Sequence, residues 1–383
     1  MAEIKSLRQR LVGTFSKAFE IIRKREIMKR YGFIYERICD IDNIKAAIYN
    51  ASKRKRKRPS VAKILKNVDY YAEEIRQMLV NKTYTPAPYR EFTIKDGATQ
   101  KERVIYCPVF YPDQIIHWAL MLQIEPYIMK SMYNYTCGSI PGRGAHYGKR
   151  YLRRVLDNDR KNTKYCLKLD IRKFYPSINN EKLKEAFSRK FKDKNTLWLI
   201  NAIIDSHSQG VPIGNYTSQW FANFFLQGLD NLIKQELKAK YYIRYMDDMV
   251  LLGRNKKELH KARKIIAEYL ASLGLTLKEN YQVFRVDKRD IDFLGFRFYR
   301  HKTTLRKRNA LRIRRRVKKA HKKKKITYKD AAAIISYLGW IKHSDSHYYF
   351  ITYIKPYINI KKLKEVIRNE SRKQFTACIR VRA

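Results

Sequence analysis

The chain has 383 residues, with 84 Lys or Arg against 35 Asp or Glu, so its formal net charge is +49. An imbalance of that size exceeds an ordinary solvated basic face and calls for a polyanionic partner. No apolar run approaches the roughly 20 residues of a membrane span, no secretory signal opens the chain, and the five cysteines form no CxxC pair. These features exclude a membrane-spanning or disulfide-built protein and point to a soluble, cytoplasmic one with reduced thiols.

At 45% hydrophobic, the chain can bury a real core, and its length implies two or three subdomains. Met1 to Arg30 sets Ile4, Leu7, Leu11, Phe15, Phe19 and Ile22 at helical spacing among basic residues, which predicts an amphipathic helix docked on the body or on a partner. Two further helices are predicted over Tyr35 to Asn50 and Val61 to Val80. Between them lie the consecutive cations Lys53, Arg54, Lys55, Arg56, Lys57 and Arg58, a candidate contact for an RNA backbone. Thr83 to Cys107 is β-prone, with a turn near Asp96-Gly97. Pro108 to Met132 has a helical pattern that places Trp118 and Leu122 in the core.

Gly138 to Gly148 is glycine-rich and basic, which lets backbone and Arg143 approach a nucleic-acid strand. Lys164 to Ile171 reads as an apolar strand carrying a lone Asp170 near its end, where a core strand would not want a charge. A helix follows over Asn180 to Phe191, then a loop over Gly210 to Gly214 and a long helix over Thr217 to Lys238. Tyr241 to Tyr245 and Met249 to Leu252 are β-rich runs around Asp247-Asp248, a tight hairpin with two carboxylates at its tip. Lys256 to Leu273 is a basic helix, and Asp292 to Phe298 alternates like a strand. His301 to Lys325 is densely basic, Tyr328 to Leu338 and Ile360 to Arg368 are helical, and His343 and His347 lie in a surface loop.

Three carboxylates on two adjacent strands could hold two Mg²⁺ ions. Phosphoryl transfer from a nucleoside triphosphate needs charge neutralisation above all, and two hard cations about 4 Å apart stabilise the attacking and leaving oxygens. Asp170 and Asp247 are the candidate bridging ligands, and Asp248 the more peripheral one.

Asp170-Ile171-Arg172-Lys173-Phe174-Tyr175 followed by Tyr245-Met246-Asp247-Asp248 resembles the paired catalytic motifs of reverse transcriptases. Lys101-Glu102-Arg103, the block from Gly138 to His146, Pro212 to Gln219 and Asp292 to Phe296 follow in that family's order, and the resemblance covers roughly Tyr35 to Tyr299. It implies an α/β (α+β) right-hand polymerase with an antiparallel palm sheet, fingers and a helical thumb. The implied domains are a basic helical extension (1–34), fingers with part of the palm (35–163), the palm with its catalytic Asp triad (164–300) and a basic helical thumb (301–383).

The resemblance also implies roles for single residues. Ile171 joins the three acids in the metal set, and Arg103 meets the incoming dNTP, with Arg90 and Lys101 as further candidates. Tyr175 stands at the steric gate that crowds a ribose 2′-OH, and Lys278 lies near the pyrophosphate leaving group. Ile213, Gly214 and Gln219 lie beside the nascent pair, Leu294 and Gly295 belong to the primer grip, and Arg314, Arg315 and Arg316 lie in the thumb that tracks an RNA/cDNA hybrid.

The Ile213-Gly214-Asn215-Tyr216-Thr217-Ser218-Gln219 block resembles the diversity-generating retroelement branch, with Ile213 where most reverse transcriptases carry Gln. That branch implies a dedicated template RNA, a small basic, oligomeric accessory protein and mutagenic retrohoming through cDNA substituted at adenines. An aliphatic residue cannot make the hydrogen bond that Gln makes around the pair, so base-pair geometry is checked less strictly. A retron or group II intron-like reverse transcriptase is the alternative branch. A non-enzymatic RNA-binding scaffold is the alternative class, against which stand three acids clustered where they would repel RNA.

Overall fold

The computed structural model describes residues 30–95 and 102–380, with side chains described to residue 370. The amphipathic helix read from Met1 on, the Asp96-Gly97 turn and Lys101 lie outside the described residues. The chain divides into two compact units. One comprises the chain up to Ile140 with Lys168–Met249 and His260–Tyr281; the other comprises Pro141–Leu167, Val250–Leu259 and the chain from Gln282 on.

The first unit opens on helices Tyr35–Ile38, Ile41–Ser52, Pro59–Lys66 and Val68–Val80. Each of the two helices expected here is therefore broken once. Asp40 is extended and its carboxylate accepts from the Asp42 and Asn43 amides, so it starts a new helix instead of continuing the old one. Asn67 makes the second break with φ −131° and ψ 56°.

The centre of this unit is the helix Ile115–Lys130, which buries Ile115, Ile116, Ala119, Leu120, Met121, Ile124 and Ile128. Trp118 and Leu122 are only half-buried, which corrects their assignment to the core. They share a stripe with Glu125, and Trp118 instead stacks on Tyr216 with ring centroids 4.0 Å apart and planes 12° apart. The helix expected over Thr217 to Lys238 is also interrupted. It runs Tyr216–Phe225, leaves helical geometry at Leu226 (φ −90°, ψ 4°), resumes over Gln227–Asn231 and ends in a π turn. Past the break, Gln227 donates to the Ile128 carbonyl at 3.0 Å, satisfying an acceptor at the end of the central helix.

A hairpin of β1 (Arg90–Lys95) and β2 (Glu102–Cys107) pairs antiparallel from Arg90 opposite Cys107 to Lys95 opposite Glu102. None of its residues is buried, and Phe92, Ile94 and Val104 stand exposed. The main sheet has four strands, β3 (Tyr165–Asp170), β4 (Tyr241–Tyr245), β5 (Asp248–Gly253) and β6 (Gln282–Arg285), in the order β4-β5-β3-β6. β5 buries Met249 to Leu252 without alternation, as a central strand covered on both faces does.

Lys190 ends the helix Asn180–Lys190 and is 3% exposed, its ammonium donating to Ser131 Oγ at 2.8 Å. Burial, with the nearby charge of Lys130, lowers its pKa from 10.5 to about 8. The unfolded chain therefore takes up a proton between those values, and stability rises with pH across that window. Lys190→Met should stabilise the protein at pH 7 by about 2 to 3 kcal/mol. The gain should vanish by pH 11; urea denaturation at both pH values tests this, and equal gains would reject it.

In the second unit, β7 (Ile291–Phe293), β8 (Phe296–Phe298) and β9 (Thr303–Leu305) form an antiparallel meander. The single strand expected over Asp292 to Phe298 is thus a hairpin. Its two-residue turn is Leu294-Gly295, both at positive φ (54° and 82°), the conformation that lets a tight turn follow strand twist. A Cβ on Gly295 would meet the Trp340 ring at 2.8 Å. Helices Lys307–His321, Tyr328–Lys342, His347–Tyr353 and Ile360–Arg380 follow. His343 closes one helix and His347 opens the next; the His343 ring lies 4.3 Å from that of His146. Among the described residues, no helix is long and apolar enough to cross a membrane.

Candidate active site

β4 and β5 are joined by only two residues, Met246 and Asp247, so Asp247 stands on the turn and Asp248 opens β5. Met246 is left-handed, with φ 55°. The turn is tied to the end of β3, where the Ile171 amide donates to the Asp247 carbonyl at 3.3 Å. On the other side, Ile171 lies opposite Leu277, while the Arg172 amide donates to Thr276 and the Lys278 amide to Asp170, both at 2.8 Å. Asp170 is thus fixed between the turn and the segment 276–278.

Lys278 Nζ lies 2.6 Å from Asp170 Oδ1, and Lys168 Nζ lies 3.7 Å from Asp248 Oδ2. The Lys278 contact is close but poorly directed, and the buried Asp170 Oδ1 receives no hydrogen bond. Burial and then the charge of Asp170 raise the pKa of the Asp247 carboxyl, against the opposing pull of Lys278 and Arg103. Two carboxylates that repel each other, one with an unsatisfied oxygen, suit a hard divalent cation. Among the described residues no three His, Cys, Asp or Glu side chains converge into a ready-made metal cage. An open set of two acids completed by substrate phosphate and water is the usual Mg²⁺ arrangement.

The other candidate residues divide by position. Arg103 lies on β2, and its charge is felt by both Asp247 and Tyr175, which brings the three together. Arg90 sits at the opposite end of that hairpin. Burial first, then Asp247 and Tyr245, raise the pKa of the Tyr175 phenol, so it stays neutral. The Tyr175 carbonyl accepts from the Val211 amide at 3.1 Å. Gly210 passes so close, at φ 65°, that a Cβ there would lie 2.3 Å from that carbonyl. At the other end of the loop, the Ile213 carbonyl accepts from the Tyr106 amide at 2.8 Å, and a Cβ on Gly214 would lie 2.3 Å from the Tyr106 oxygen. Only glycine permits either approach. Ile213 is half-buried, and Gln219 is exposed on the first turns of the following helix.

In the cation run, Arg54, Arg56, Lys57 and Arg58 are exposed, but Lys55 turns inward to Gln114 Oε1 and over the Phe110 ring. Within the second unit, Arg143 follows Gly142 (φ 71°), and Leu294 and Gly295 form the hairpin turn. On the helix Lys307–His321, Arg315 is exposed. Arg316 is 2.8 Å from Asp330, and the Arg314 guanidinium lies 4.5 Å from the Tyr353 ring centre. Lys168, beside Asp248, and Arg244 have no role in the motif reading; the signal of Arg244 in the sequence is a cation inside the apolar run of β4.

Residues 94–298, more than half of the chain, match the family described as Reverse transcriptase (RNA-dependent DNA polymerase). The chain belongs to that family. It is 30% identical over 145 residues to the retron Ec73 reverse transcriptase of Escherichia coli, a match spanning 34% of this chain and 46% of that relative's length. Among solved structures it is similar to apo telomerase from Candida tropicalis, at TM-score 0.46 and 14% identity over 80% of this chain and 63% of that one. A form of that telomerase truncated of its C-terminal domain gives 0.45 and 14%, over 60% and 59%. Telomerase from Candida albicans with a fragment of telomeric RNA gives 0.46 and 12%, over 79% and 62%.

Proposed function

We propose that this chain is an RNA-directed DNA polymerase that extends a primer along a template RNA with dNTPs and two Mg²⁺ ions. The observation that carries this reading is the pairing of Asp170 with Asp247 at the meeting of β3 and the β4-β5 turn, with Arg103 and Tyr175 in electrostatic reach. Bound there, the cations would activate the primer hydroxyl and neutralise the leaving pyrophosphate. Asp170 and Asp247 would hold them, with Asp248 and Ile171 at the margin. Arg103 would clamp the triphosphate, as a planar guanidinium does best. Lys278 would exchange its contact with Asp170 for the departing phosphates, and Tyr175 would close the space beside the sugar. Arg54, Arg56, Lys57 and Arg58, with Arg143, Leu294, Gly295 and Arg315, would meet the template and hybrid mainly through phosphate and shape.

We further propose the diversity-generating retroelement branch, in the cytoplasm, with a dedicated template RNA and a small basic accessory protein. The block from Ile213 to Gln219 supports it, because Ile213 offers no side-chain hydrogen bond to the nascent pair. The retron reading keeps a specific observation in its favour, the 30% identity to the Escherichia coli enzyme. Primed synthesis on RNA with Mg²⁺, followed by product sequencing, separates the two. Errors concentrated opposite template adenine, falling about ten-fold in Ile213→Gln, are the expected result, the size being that of one lost discriminating contact. Accurate synthesis by the wild type would leave the polymerase and reject the mutagenic branch. An unchanged error spectrum in Ile213→Gln would remove this residue as its cause.

A further inference from the structure

Behind the Met246-Asp247 turn lies a charged cluster from which water is excluded. Arg244 is fully buried in β4 and Asp230, on the helix Gln227–Asn231, is 1% exposed. Arg244 Nε donates to Asp230 Oδ1 at 2.8 Å and Nη2 to Asp230 Oδ2 at 2.5 Å, a bidentate pair. Nη1 donates to Asn223 Oδ1 at 3.0 Å and to the Met246 carbonyl at 3.1 Å, and Nη2 also reaches Thr136 Oγ1 at 3.4 Å. All five N–H donors of a guanidinium therefore have acceptors, which three ammonium protons could not match. Tyr242 and Thr136 hydroxyls donate back to Asp230 at 2.7 and 3.2 Å.

The cluster joins three segments that are far apart in sequence. Asn223, which accepts from Arg244, donates through Nδ2 to the Gly138 carbonyl at 2.7 Å. The Arg244 backbone pairs with Tyr135 and Cys137 at 3.1 and 2.8 Å. Gly138 in turn lies against the turn, where a Cβ would stand 2.5 Å from Met246 Cγ and 2.9 Å from the Met246 amide. The left-handed Met246, the residue immediately before Asp247, is thus held by the guanidinium at its carbonyl and bounded by Gly138 at its side chain and amide.

Resting on the polymerase reading above, we propose that Arg244 is a positioning residue for the metal-binding acids. Through the Met246 carbonyl it sets the turn that aims Asp247, with Asn223 as the brace that orients the guanidinium. Outer partners of this kind typically govern metal affinity by about ten- to a hundred-fold. A purely structural cluster would affect stability alone.

The test uses Mn²⁺ as the probe, its binding to the full chain without nucleic acid read by electron paramagnetic resonance, alongside kcat, the KM for dNTP and thermal melting. Asn223→Ala should remain folded, bind Mn²⁺ about ten-fold more weakly and lose a similar factor in kcat, with KM unchanged because Arg103 and Tyr175 are untouched. Arg244→Lys should lose more, toward about a hundred-fold. Thr136→Val loosens the same ion pair away from Met246, and should lower the melting temperature while leaving Mn²⁺ affinity at the wild-type value. Wild-type Mn²⁺ affinity in folded Asn223→Ala, or an equal fall in Thr136→Val, overturns the proposal. If Asn223→Ala does not fold, Asn223→Ser, whose shorter single hydroxyl cannot replace both the bond from Arg244 and the bond to the Gly138 carbonyl, decides by the same two readings. A wild type that makes no DNA sinks the polymerase reading, while the Mn²⁺ measurements still decide the role of Arg244.

Discussion

Asp247→Asn will abolish DNA synthesis while leaving the protein folded and bound to RNA. The substitution keeps the shape of the side chain and removes only its charge. Charge is what the site needs if a cation is to sit between Asp170 and the turn. Metal stabilisation of a phosphoryl-transfer transition state is worth several kcal/mol, so the loss should reach at least about a thousand-fold. The same change should raise the melting temperature of the metal-free protein. Burial and Asp170 already disfavour the ionised Asp247, its folded pKa lying above the ordinary value, so its charge costs stability at neutral pH. Activity lost with stability gained is the signature of an acid retained for chemistry. Residual synthesis near the wild-type rate would remove Asp247 from the metal set, and a drop in melting temperature would contradict the electrostatic account.

Tyr175→Ala will admit ribonucleotides. The phenol lies on the short helix Phe174–Ser177, its carbonyl pinned by Val211 and its ring set 5.7 Å from that of the buried Phe174. The phenol stands within electrostatic reach of Asp247 and Arg103, where the proposed nucleotide would bind. Removing the ring should lower the preference for dNTP over rNTP, measured as the ratio of kcat/KM values for single incorporations, by about a hundred-fold. The kcat for dNTP should change far less, because neither the acids nor Arg103 is touched. An unaltered ratio would assign Tyr175 to packing alone.

Much of this site can be read in the sequence because its strands are short apolar runs interrupted by acids. Asp170 ends one such run and Asp247-Asp248 interrupt another, and a charge in a buried strand is conspicuous whatever the fold. The breaks in the helices are less visible. Asp40 and Asn67 interrupt segments of sound helical periodicity through capping and local backbone geometry, which periodicity does not register. Leu226 breaks a helix where Gln227 then meets the end of another helix 99 residues earlier in the sequence. Leu294 takes a left-handed backbone that its residue type disfavours, so the hairpin resembles one alternating strand. Arg244 illustrates the opposite failure: its charge stands out within β4, but the use of that charge depends on Asp230 and Asn223, neither of which is near it in a motif.

The bond from the Tyr106 amide to the Ile213 carbonyl makes one mechanical element of two regions that otherwise have separate tasks. Arg103 and Tyr106 lie three residues apart on the same strand, and the strand's partner is the exposed hairpin arm. Gly214 lies so close to the Tyr106 oxygen that a Cβ there would stand 2.3 Å from it. If Arg103 clamps a triphosphate and Ile213 lies beside the nascent pair, as proposed, a pull on the strand would reach Ile213 through this one bond, and nucleotide arrival would be coupled to the fit of the pair.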